Sequence, residues 1–273
     1  MDLSLSEEQT ELVATVRSLL VKRSDSTAVR TAIASEAGYD AGLWQVLCEQ
    51  IGVAALAVPE EHDGVGATLV ESVLVLEEIG RALAPVPALS SLVTAEAVLA
   101  GADDDAAARL LPRLAAGEIG AFAVLEGGQA SAVLHLVGAL GAVALSVGCA
   151  QRGLDMTVAY SKDRVQFGRP IGSFQALKHR MADMLVQLEM SRSGSWSAAY
   201  AVASQAPDAA QLVHAAKSYV AEAVAQVAAE TVQMHGGIAI TWEHDAHLVL
   251  KRAHALGQLF GAPHVHRAAL ALP

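Results

Sequence analysis

Four long blocks of helical apolar pattern fill the second half of this 273-residue chain, and they constrain its fold more than any other feature. Short turns rich in Gly, Pro and Ser separate the blocks, most of which have roughly the 20-to-30-residue length of bundle helices. They cover residues 134–161, 173–204, 208–235 and 243–259. Because amphipathic helices joined by short turns bury their apolar faces against each other, the pattern predicts a C-terminal four-helix bundle.

Shorter helical segments fill residues 1–117 and predict an N-terminal helical domain. Ser4 or Ser6 can cap the first helix, and two glutamates follow where the helix dipole favours negative charge. Further helices are predicted around residues 43–47, 71–83, 90–100 and 106–115. Pro112 is expected to kink or split the last of these, because proline cannot continue the backbone hydrogen bonding of a helix.

A compositional break separates the two halves. Residues 117–129 carry a short apolar run, Ala-Phe-Ala-Val-Leu, between glycines, and this segment is interpreted as a linker or a lone strand. The predicted domains are residues 1–117 and 134–273, joined by a linker over 118–133. Aromatic residues make up only 4% of the chain and alanine is abundant, which favours close helix packing. The predicted fold class is all-α.

Charge and composition argue against several kinds of partner and location. A formal net charge of −11 without a basic stripe argues against nucleic-acid binding. The most apolar stretch, residues 130–150, is interrupted by His135 and three glycines, so it predicts a buried helix and no membrane span. Cys48 and Cys149 are too few for a disulfide framework, and the N-terminus lacks a signal-peptide pattern. A cytoplasmic location is therefore expected.

Arg164 and Phe167 are the first candidates for ligand binding. Arg164 is predicted at a helix end, where its guanidinium is suited to hold a diphosphate bidentately, and Phe167 is suited to lie against a planar ring. The alternative is structural, with Arg164 capping helix carbonyls and Phe167 packing in the core.

The helix that follows is expected to bury one stripe of side chains. Asp183 lies among them at helical spacing from His179 and is expected to be a buried, paired carboxylate. The stripe consists of Met181, Met184, Leu185 and Leu188.

The segment Gln233-Met234-His235-Gly236-Gly237 ends the third bundle block with two glycines. Glycines let the backbone turn and let phosphates approach main-chain amides, although a glycine helix cap explains them without a ligand. Two histidine pairs follow, His244 with His247 and His264 with His266. Neither pair has a third ligand at usable spacing, so no metal site is expected.

Taken together, five ordered segments resemble the acyl-CoA dehydrogenase family over nearly the whole chain. They are LSLSEEQTELVATVRSLL, GLWQVLCEQIGVAALAVPEEHDGVGAT, VLVLEEIGRALAPVPAL, SKDRVQFGRPIGSFQALKHRMADM and QMHGGIAITWEHDAHLVLKRA. Within the family, WEHDAH and LKRA are most similar to subunits of actinobacterial heteromeric enzymes that degrade steroids. The resemblance implies a flavoprotein oxidoreductase, in which FAD takes a hydride β to an acyl-CoA carbonyl and a carboxylate takes the α proton.

The resemblance also implies which residues hold FAD. The ADP half of the cofactor would be held across a subunit interface by residues of two chains. These are Arg164, Phe167 and Gln175 from one subunit, and Gln233, Gly236 and Gly237 from its neighbour.

The chain departs from the family where catalysis needs it most. The middle β-barrel domain is missing or vestigial, because the linker is too short for even a few strands. The usual base, a glutamate before a glycine, is replaced by Phe260-Gly261, and the alternative base position aligns near Gly138. Ala239 also stands where a glycine is common.

These departures predict a non-catalytic subunit. We expect an oligomer with a full-length acyl-CoA dehydrogenase subunit, with itself, or with both, in which the partner mainly holds the acyl-CoA. Two alternatives stay open, because fold does not imply function. One is a self-contained enzyme with Glu243 or Asp245 as its base, and the other is a structural or binding protein without flavin.

Overall fold

The computed structural model describes residues 4–120 and 129–270, and nearly all of its regular structure is α-helical. The N-terminal half contains α1 Glu7–Arg23, α2 Ser26–Ala34, α3 Ala41–Ile51, α4 Leu69–Arg81, α5 Ala88–Gly101 and α6 Asp104–Ala115. The C-terminal half contains α7 Gln129–Asp163, α8 Gln175–Ala203, α9 Ala209–His235, α10 Ala246–Gln258 and α11 Pro263–Ala269. Two short antiparallel strands, β1 Val165–Gln166 and β2 Arg169–Pro170, lie between α7 and α8.

Local sequence explains where several helices begin and end. The Ser6 hydroxyl accepts a hydrogen bond from the Gln9 N–H, and the Gln9 side chain accepts one from the Ser6 N–H, which closes a capping box on α1. Thr68 and Glu71 form the same arrangement on α4. Gly52 ends α3 in the left-handed conformation, with a φ of 74°. The all-α prediction is confirmed, and residues 4–120 and 129–270 contain no β-barrel.

Two predictions about the N-terminal half differ from the structure. The sequence pattern does not predict α2, because its nine residues include only two large apolar side chains, Val29 and Ile33. The predicted split at Pro112 is wrong, since α6 continues through this residue, while the predicted kink stays a prediction. The helix tolerates the proline because the carbonyl that loses its donor belongs to Ala108, which is exposed to solvent.

The predicted buried stripe on α8 is only partly correct. Met184 and Leu188 are buried, but Leu185 is 47% exposed. Asp183 is also exposed, so its predicted burial is wrong. The physical reason is that α8 packs against other helices on one side, and residues one position away from the stripe turn toward the other side.

The predicted linker or lone strand over 117–129 lies mostly outside the described residues. Its first residue is fixed, because the Trp44 indole Nε1 donates a hydrogen bond of 2.8 Å to the Gly117 carbonyl oxygen. The domain boundaries at residues 117 and 134 stay predictions.

One close helix contact joins the two halves of the chain. Gly80 of α4 and Gly148 of α7 each face the backbone of the other helix. A Cβ atom at Gly148 would lie 1.9 Å from the Glu77 carbonyl oxygen, and one at Gly80 would lie 2.2 Å from the Leu145 carbonyl oxygen. The backbones therefore touch where any side chain would hold them apart, and residues of both halves share one hydrophobic core.

Ion pairs flank this contact and connect α4 to the bundle. Glu77 accepts hydrogen bonds from Arg192 Nε at 2.7 Å and from Trp196 Nε1 at 3.1 Å. Arg81 pairs with Asp155 of α7 at 2.8 Å. Because a buried charge is costly without a partner, the Glu77–Arg192 pair helps to fix how α4 and α8 pack.

The helix α7 is apolar enough to be tested as a membrane span. The segment Ser131–Asp163 reaches a mean hydropathy of 2.0, which by length and composition would allow it to cross a membrane. However, 78% of its most apolar window is buried inside the protein. The expectation of a buried helix over 130–150 is therefore confirmed.

The close contact at Gly148 predicts that a larger residue at this position destabilises the fold. Gly148→Ala should lower the free energy of unfolding by about 3 kcal/mol, at the upper end of the usual overpacking cost, because the clash is with backbone. Gly194→Ala in α8 is the matched control, since its Cβ would meet only the Ala216 Cβ at 3.9 Å. It should leave stability unchanged or raise it by up to about 1 kcal/mol. Urea unfolding of both variants measures this, and equal effects would contradict the contact.

Candidate functional site

Four helix ends meet at one end of the bundle: the C-termini of α7 and α9 and the N-termini of α8 and α10. The Tyr160 ring, near the end of α7, lies 4.5 Å from the His235 ring at the end of α9. Arg180, near the start of α8, pairs with Glu230 of α9 at 2.7 Å. The segments around Arg164 and around Gly236 therefore lie at the same end of the molecule.

The Arg164 segment is a tight hairpin on the surface. The Ile171 N–H donates to the Arg164 carbonyl oxygen at 2.8 Å, and β1 and β2 pair between these residues. Phe167 and Gly168 form the turn, with φ values of 53° and 75°. The Phe167 ring is 92% exposed, so it does not pack in the core. Arg164 is exposed as well.

Gln175 begins α8 beside this hairpin. It is exposed, and its Nε2 lies 3.0 Å from His179 Nε2. The Arg169 guanidinium lies 4.0 Å above the Phe174 ring, which orders the turn into α8.

The same segment is locally positive on a chain that is acidic overall. Residues 161–180 contain five of the 18 Lys and Arg residues but only one of the 29 Asp and Glu residues, Asp163. The basic residues are Lys162, Arg164, Arg169, Lys178 and Arg180. This end of the bundle is therefore suited to an anionic group.

Gln233, Gly236 and Gly237 form the second exposed edge. Gly236 has a φ of 64° and a ψ of −145°, a conformation that strongly favours glycine. A Cβ atom added at Gly236, Gly237 or Gly168 would meet no described atom within 4 Å. The turns thus face open space where a ligand can approach the backbone.

One buried ring, His235, and two half-buried rings, Tyr160 and His244, lie beneath this edge, and sequence spacing does not reveal their contact. The His235 ring lies 4.5 Å from the rings of both Tyr160 and His244. His235 Nδ1 donates to the Thr231 carbonyl oxygen at 2.7 Å. Burial lowers the pKa of His235, and burial together with the neighbouring His235 lowers the pKa of His244.

Phe260 and Gly138, the two positions that the resemblance aligns with a catalytic base, lie in contact. A Cβ atom on Gly138 would lie 2.3 Å from Cε1 of the Phe260 ring. The ring also packs with Val93, Leu134 and Val137 in an apolar cluster. The space that a carboxylate would need is thus filled by a hydrocarbon ring.

A cavity of about 470 Å³ lies beside Phe260, between α7, α9 and α11. His266 joins two of its walls, because its Nε2 donates to the Phe260 carbonyl oxygen at 2.9 Å and its Nδ1 lies 2.8 Å from His214 Nδ1. The side chains of His135 and His214 also line the cavity. Sequence spacing could not indicate this cluster, since its members are far apart in the chain.

The two carboxylates that were alternative bases lie at the N-terminus of α10, at the same end of the bundle. Glu243 is exposed. Asp245 is largely buried and accepts hydrogen bonds from Ser26 Oγ at 2.6 Å and Arg30 Nη2 at 2.7 Å. Burial alone would raise the pKa of Asp245, but these bonds outweigh it and hold the pKa below its ordinary value.

The histidine pairs do not assemble a metal site within the described ranges. His247 stacks under the Trp242 ring at 4.9 Å, while His244 packs against His235. Residues 4–120 and 129–270 contain no group of three His, Cys, Asp or Glu side chains placed to hold a metal ion.

The lowered histidine pKa values predict acid sensitivity. An unfolded histidine titrates near 6.5, so below about pH 7 the unfolded chain binds more protons than the folded one, and the free energy of unfolding falls as the pH falls. The double substitution His235→Gln/His244→Gln should flatten this fall between pH 7 and pH 5. Urea unfolding at each pH measures it, with exposed His264→Gln as control. An unchanged slope in the double variant would contradict neutral burial of these rings.

Comparison with known proteins places these features in one family. Residues 6–118 match the acyl-CoA dehydrogenase N-terminal domain, and residues 131–272 match the acyl-CoA dehydrogenase C-terminal domain. The chain is 40% identical to the acyl-CoA dehydrogenase IpdE2 of Mycolicibacterium smegmatis, in an alignment that covers 95% of this chain and 96% of that protein. It is 41% identical to IpdE2 of Mycobacterium tuberculosis, in an alignment that covers 94% of each.

Solved structures share the fold. A variant of the Tcur3481–Tcur3483 steroid acyl-CoA dehydrogenase superposes with a TM-score of 0.89 at 24% identity, covering 98% of this chain and 97% of that one. The ChsE4–ChsE5 complex from Mycobacterium tuberculosis superposes with a TM-score of 0.88 at 22% identity, covering 99% and 98%. With the match of both family domains and of IpdE2 along nearly its whole length, this chain belongs to the acyl-CoA dehydrogenase family.

Proposed function

We propose that this chain is a non-catalytic subunit of a heteromeric acyl-CoA dehydrogenase, which lends residues to a FAD site completed by a full-length partner. One contrast carries the proposal. The exposed basic edge and its open glycine turns are present, while the Phe260 ring fills the place of the base.

The residues at the bundle end fit the ADP half of FAD. The exposed Arg164 guanidinium is suited to a diphosphate, and the exposed Phe167 ring can stack on a planar group. Gln175 and Gln233 add amide groups, and the open turn at Gly236 and Gly237 lets phosphate oxygens reach the backbone. Bound FAD would accept the hydride of the family reaction.

Distance supports sharing of the cofactor between chains. Gly138 and Arg164 lie about 39 Å apart along α7 at 1.5 Å per residue. This is longer than an extended FAD molecule, so a flavin held at Arg164 cannot place its reacting ring beside Phe260 of the same chain. The base next to that flavin then belongs to the partner subunit.

The other carboxylates are poor substitutes for the missing base. Asp245 has its acceptor sites occupied by Ser26 and Arg30, and its lowered pKa makes it a weak proton acceptor. Glu243 is exposed to solvent, so no closed site excludes water from it. A self-contained enzyme is therefore the weaker account.

An apolar face of α8 supports a protein partner. Leu185, Val186 and Met190 are 47%, 57% and 55% exposed, and they lie within two turns of one helix. Clustered exposed apolar residues commonly mark protein interfaces. Because two structural neighbours are named as paired subunits, and one as a steroid enzyme, we propose a full-length acyl-CoA dehydrogenase partner and a steroid-derived acyl group. We also propose a cytoplasmic location.

The flavin edge gives the direct test of this function. In a complex with the full-length partner, Arg164→Ala should weaken FAD binding roughly tenfold to a hundredfold, because charge-assisted hydrogen bonds contribute about 1.5 to 3 kcal/mol each. Gln233→Ala should weaken it about twofold to tenfold, because neutral hydrogen bonds contribute about 0.5 to 1.5 kcal/mol. The melting temperature of the subunit alone should change little, since both side chains are exposed. Flavin absorbance per complex and thermal melts measure the two effects.

Two exposed residues serve as matched controls. Arg23→Ala alters the last turn of α1, and Gln211→Ala alters the opposite end of α9 from Gln233. Both should keep full flavin content. If Arg164→Ala and Gln233→Ala also keep full flavin content but lower the melting temperature, these residues are structural and the flavin-free account is better.

A further inference from the structure

Three helices meet at Asp245, the residue before α10. Ser26 Oγ and Arg30 Nη2 of α2 donate to Asp245 Oδ1 at 2.6 and 2.7 Å. Arg152 of α7 lies 3.5 Å from Asp245 Oδ2. Arg30 also donates through Nε to Ser26 Oγ at 3.1 Å, and through Nη2 to the His244 carbonyl oxygen at 3.2 Å. The Asp245 carboxylate is only 12% exposed and is thus bound on both oxygens.

This cluster holds one end of the loop that carries the glycine edge. The chain leaves α9 at His235, forms a 3-10 turn over Gly236–Ile240, and reaches α10 through Asp245. Its first end is held by His235, which bonds to Thr231, and its last end is held by the Asp245 cluster. The His244 ring connects the two ends, because it packs 4.5 Å from the His235 ring.

The loop between these anchors has a local bond from Thr241 to Ile238 and a buried Ala239, but its glycine edge is exposed. The side chains of Ile240 and Trp242 are 77% and 65% exposed, and the two glycines face open space. The Trp242 ring lies 5.0 Å from the Arg30 guanidinium, so the same arginine contacts the loop a second time. The geometry of Gly236 and Gly237 therefore depends on anchors outside the loop.

The polar side chains of α2 have no comparable role in the core. Only Val29 and Ala32 of this helix are buried. Ser26 and Arg30 instead point their donors at Asp245 and His244, which belong to the loop. The Arg30 guanidinium is fixed in position and orientation, because Nη2 donates to a carboxylate and a carbonyl while Nε donates to a hydroxyl.

We infer that Asp245, with Ser26 and Arg30, positions the Gly236–Trp242 edge for flavin binding, so that α2 of the N-terminal half supports the cofactor site. This inference rests on the proposed function. These are positioning residues, since they act through the loop and not by contact with the cofactor. Their loss should therefore change FAD affinity more than an equally destabilising change elsewhere.

The test compares two buried carboxylates in the complex with the full-length partner. Asp245→Asn weakens the anchor, while Glu77→Gln weakens the ion pair between Glu77 and Arg192. The two pairs are similarly buried. The side chains of Glu77 and Arg192 are 10% and 18% exposed, and those of Asp245 and Arg30 are 12% and 18% exposed. Glu77 faces Gly148, about 24 Å along α7 from Arg164. FAD affinity, from fluorescence titration, and melting temperature are measured for both.

Asp245→Asn should weaken FAD binding roughly tenfold, the lower end of what loss of an orienting residue costs at metal sites. Glu77→Gln should lower the melting temperature to a similar extent without changing FAD affinity. Normal FAD affinity in Asp245→Asn, with Arg164→Ala still impaired, would overturn the inference and leave the proposed function standing. Normal FAD affinity in both Asp245→Asn and Arg164→Ala would overturn the proposed function itself.

A milder pair covers the case in which Asp245→Asn fails to fold. Ser26→Ala removes one neutral donor and keeps the Arg30–Asp245 ion pair, so it should weaken FAD binding about twofold or more. Ser35→Ala, just after the end of α2, removes only local bonds, one to the Ala32 carbonyl oxygen and one from the Gly38 N–H, and should leave FAD affinity unchanged. Equal FAD affinity in these two variants would overturn the positioning role of α2.

Discussion

The contact between α4 and α7 is the constraint on which the rest of the structure depends. Gly80 and Gly148 let the two helix backbones touch, and no residue with a Cβ atom fits either position without moving the partner helix. Because α7 is also the central helix of the bundle, this one contact makes the two halves share a core. It places the N-terminal half against the bundle closely enough for α2 to reach Asp245.

The long helix α7 then separates two features that a single-chain enzyme would need together. Its C-terminal end carries the basic, exposed edge around Arg164, and its N-terminal part carries Gly138, closed by the Phe260 ring. Under the proposed function, a cofactor bound at the first place does not reach the second within one chain. The separation along this helix therefore favours the proposal of a shared site, in which only the partner's base would act.

The sequence predicted the features that are determined by residues close together in the chain. Helix periodicity placed the long helices, and capping residues such as Ser6 placed a helix end. The resemblance to a family indicated Phe260 and Gly138 separately, but only the structure shows their contact, because more than a hundred residues separate them. The sequence analysis did not predict the Asp245 cluster for the same reason. The helix α2 has a weak apolar pattern, and its polar residues bond to Asp245, which lies more than two hundred residues along the chain. Leu185 was misplaced because periodicity shows that a helix has an apolar side and not how much of it the same chain covers.

Flavin stoichiometry tests the central claim most directly. The purified chain, its full-length partner and their complex are compared for bound FAD per protein, by absorbance, and for acyl-CoA dehydrogenation with an artificial electron acceptor. The account predicts no turnover by this chain alone, and one FAD per pair of unlike subunits in an active complex. Two FAD molecules per pair, or acyl-CoA turnover by this chain alone, would contradict it.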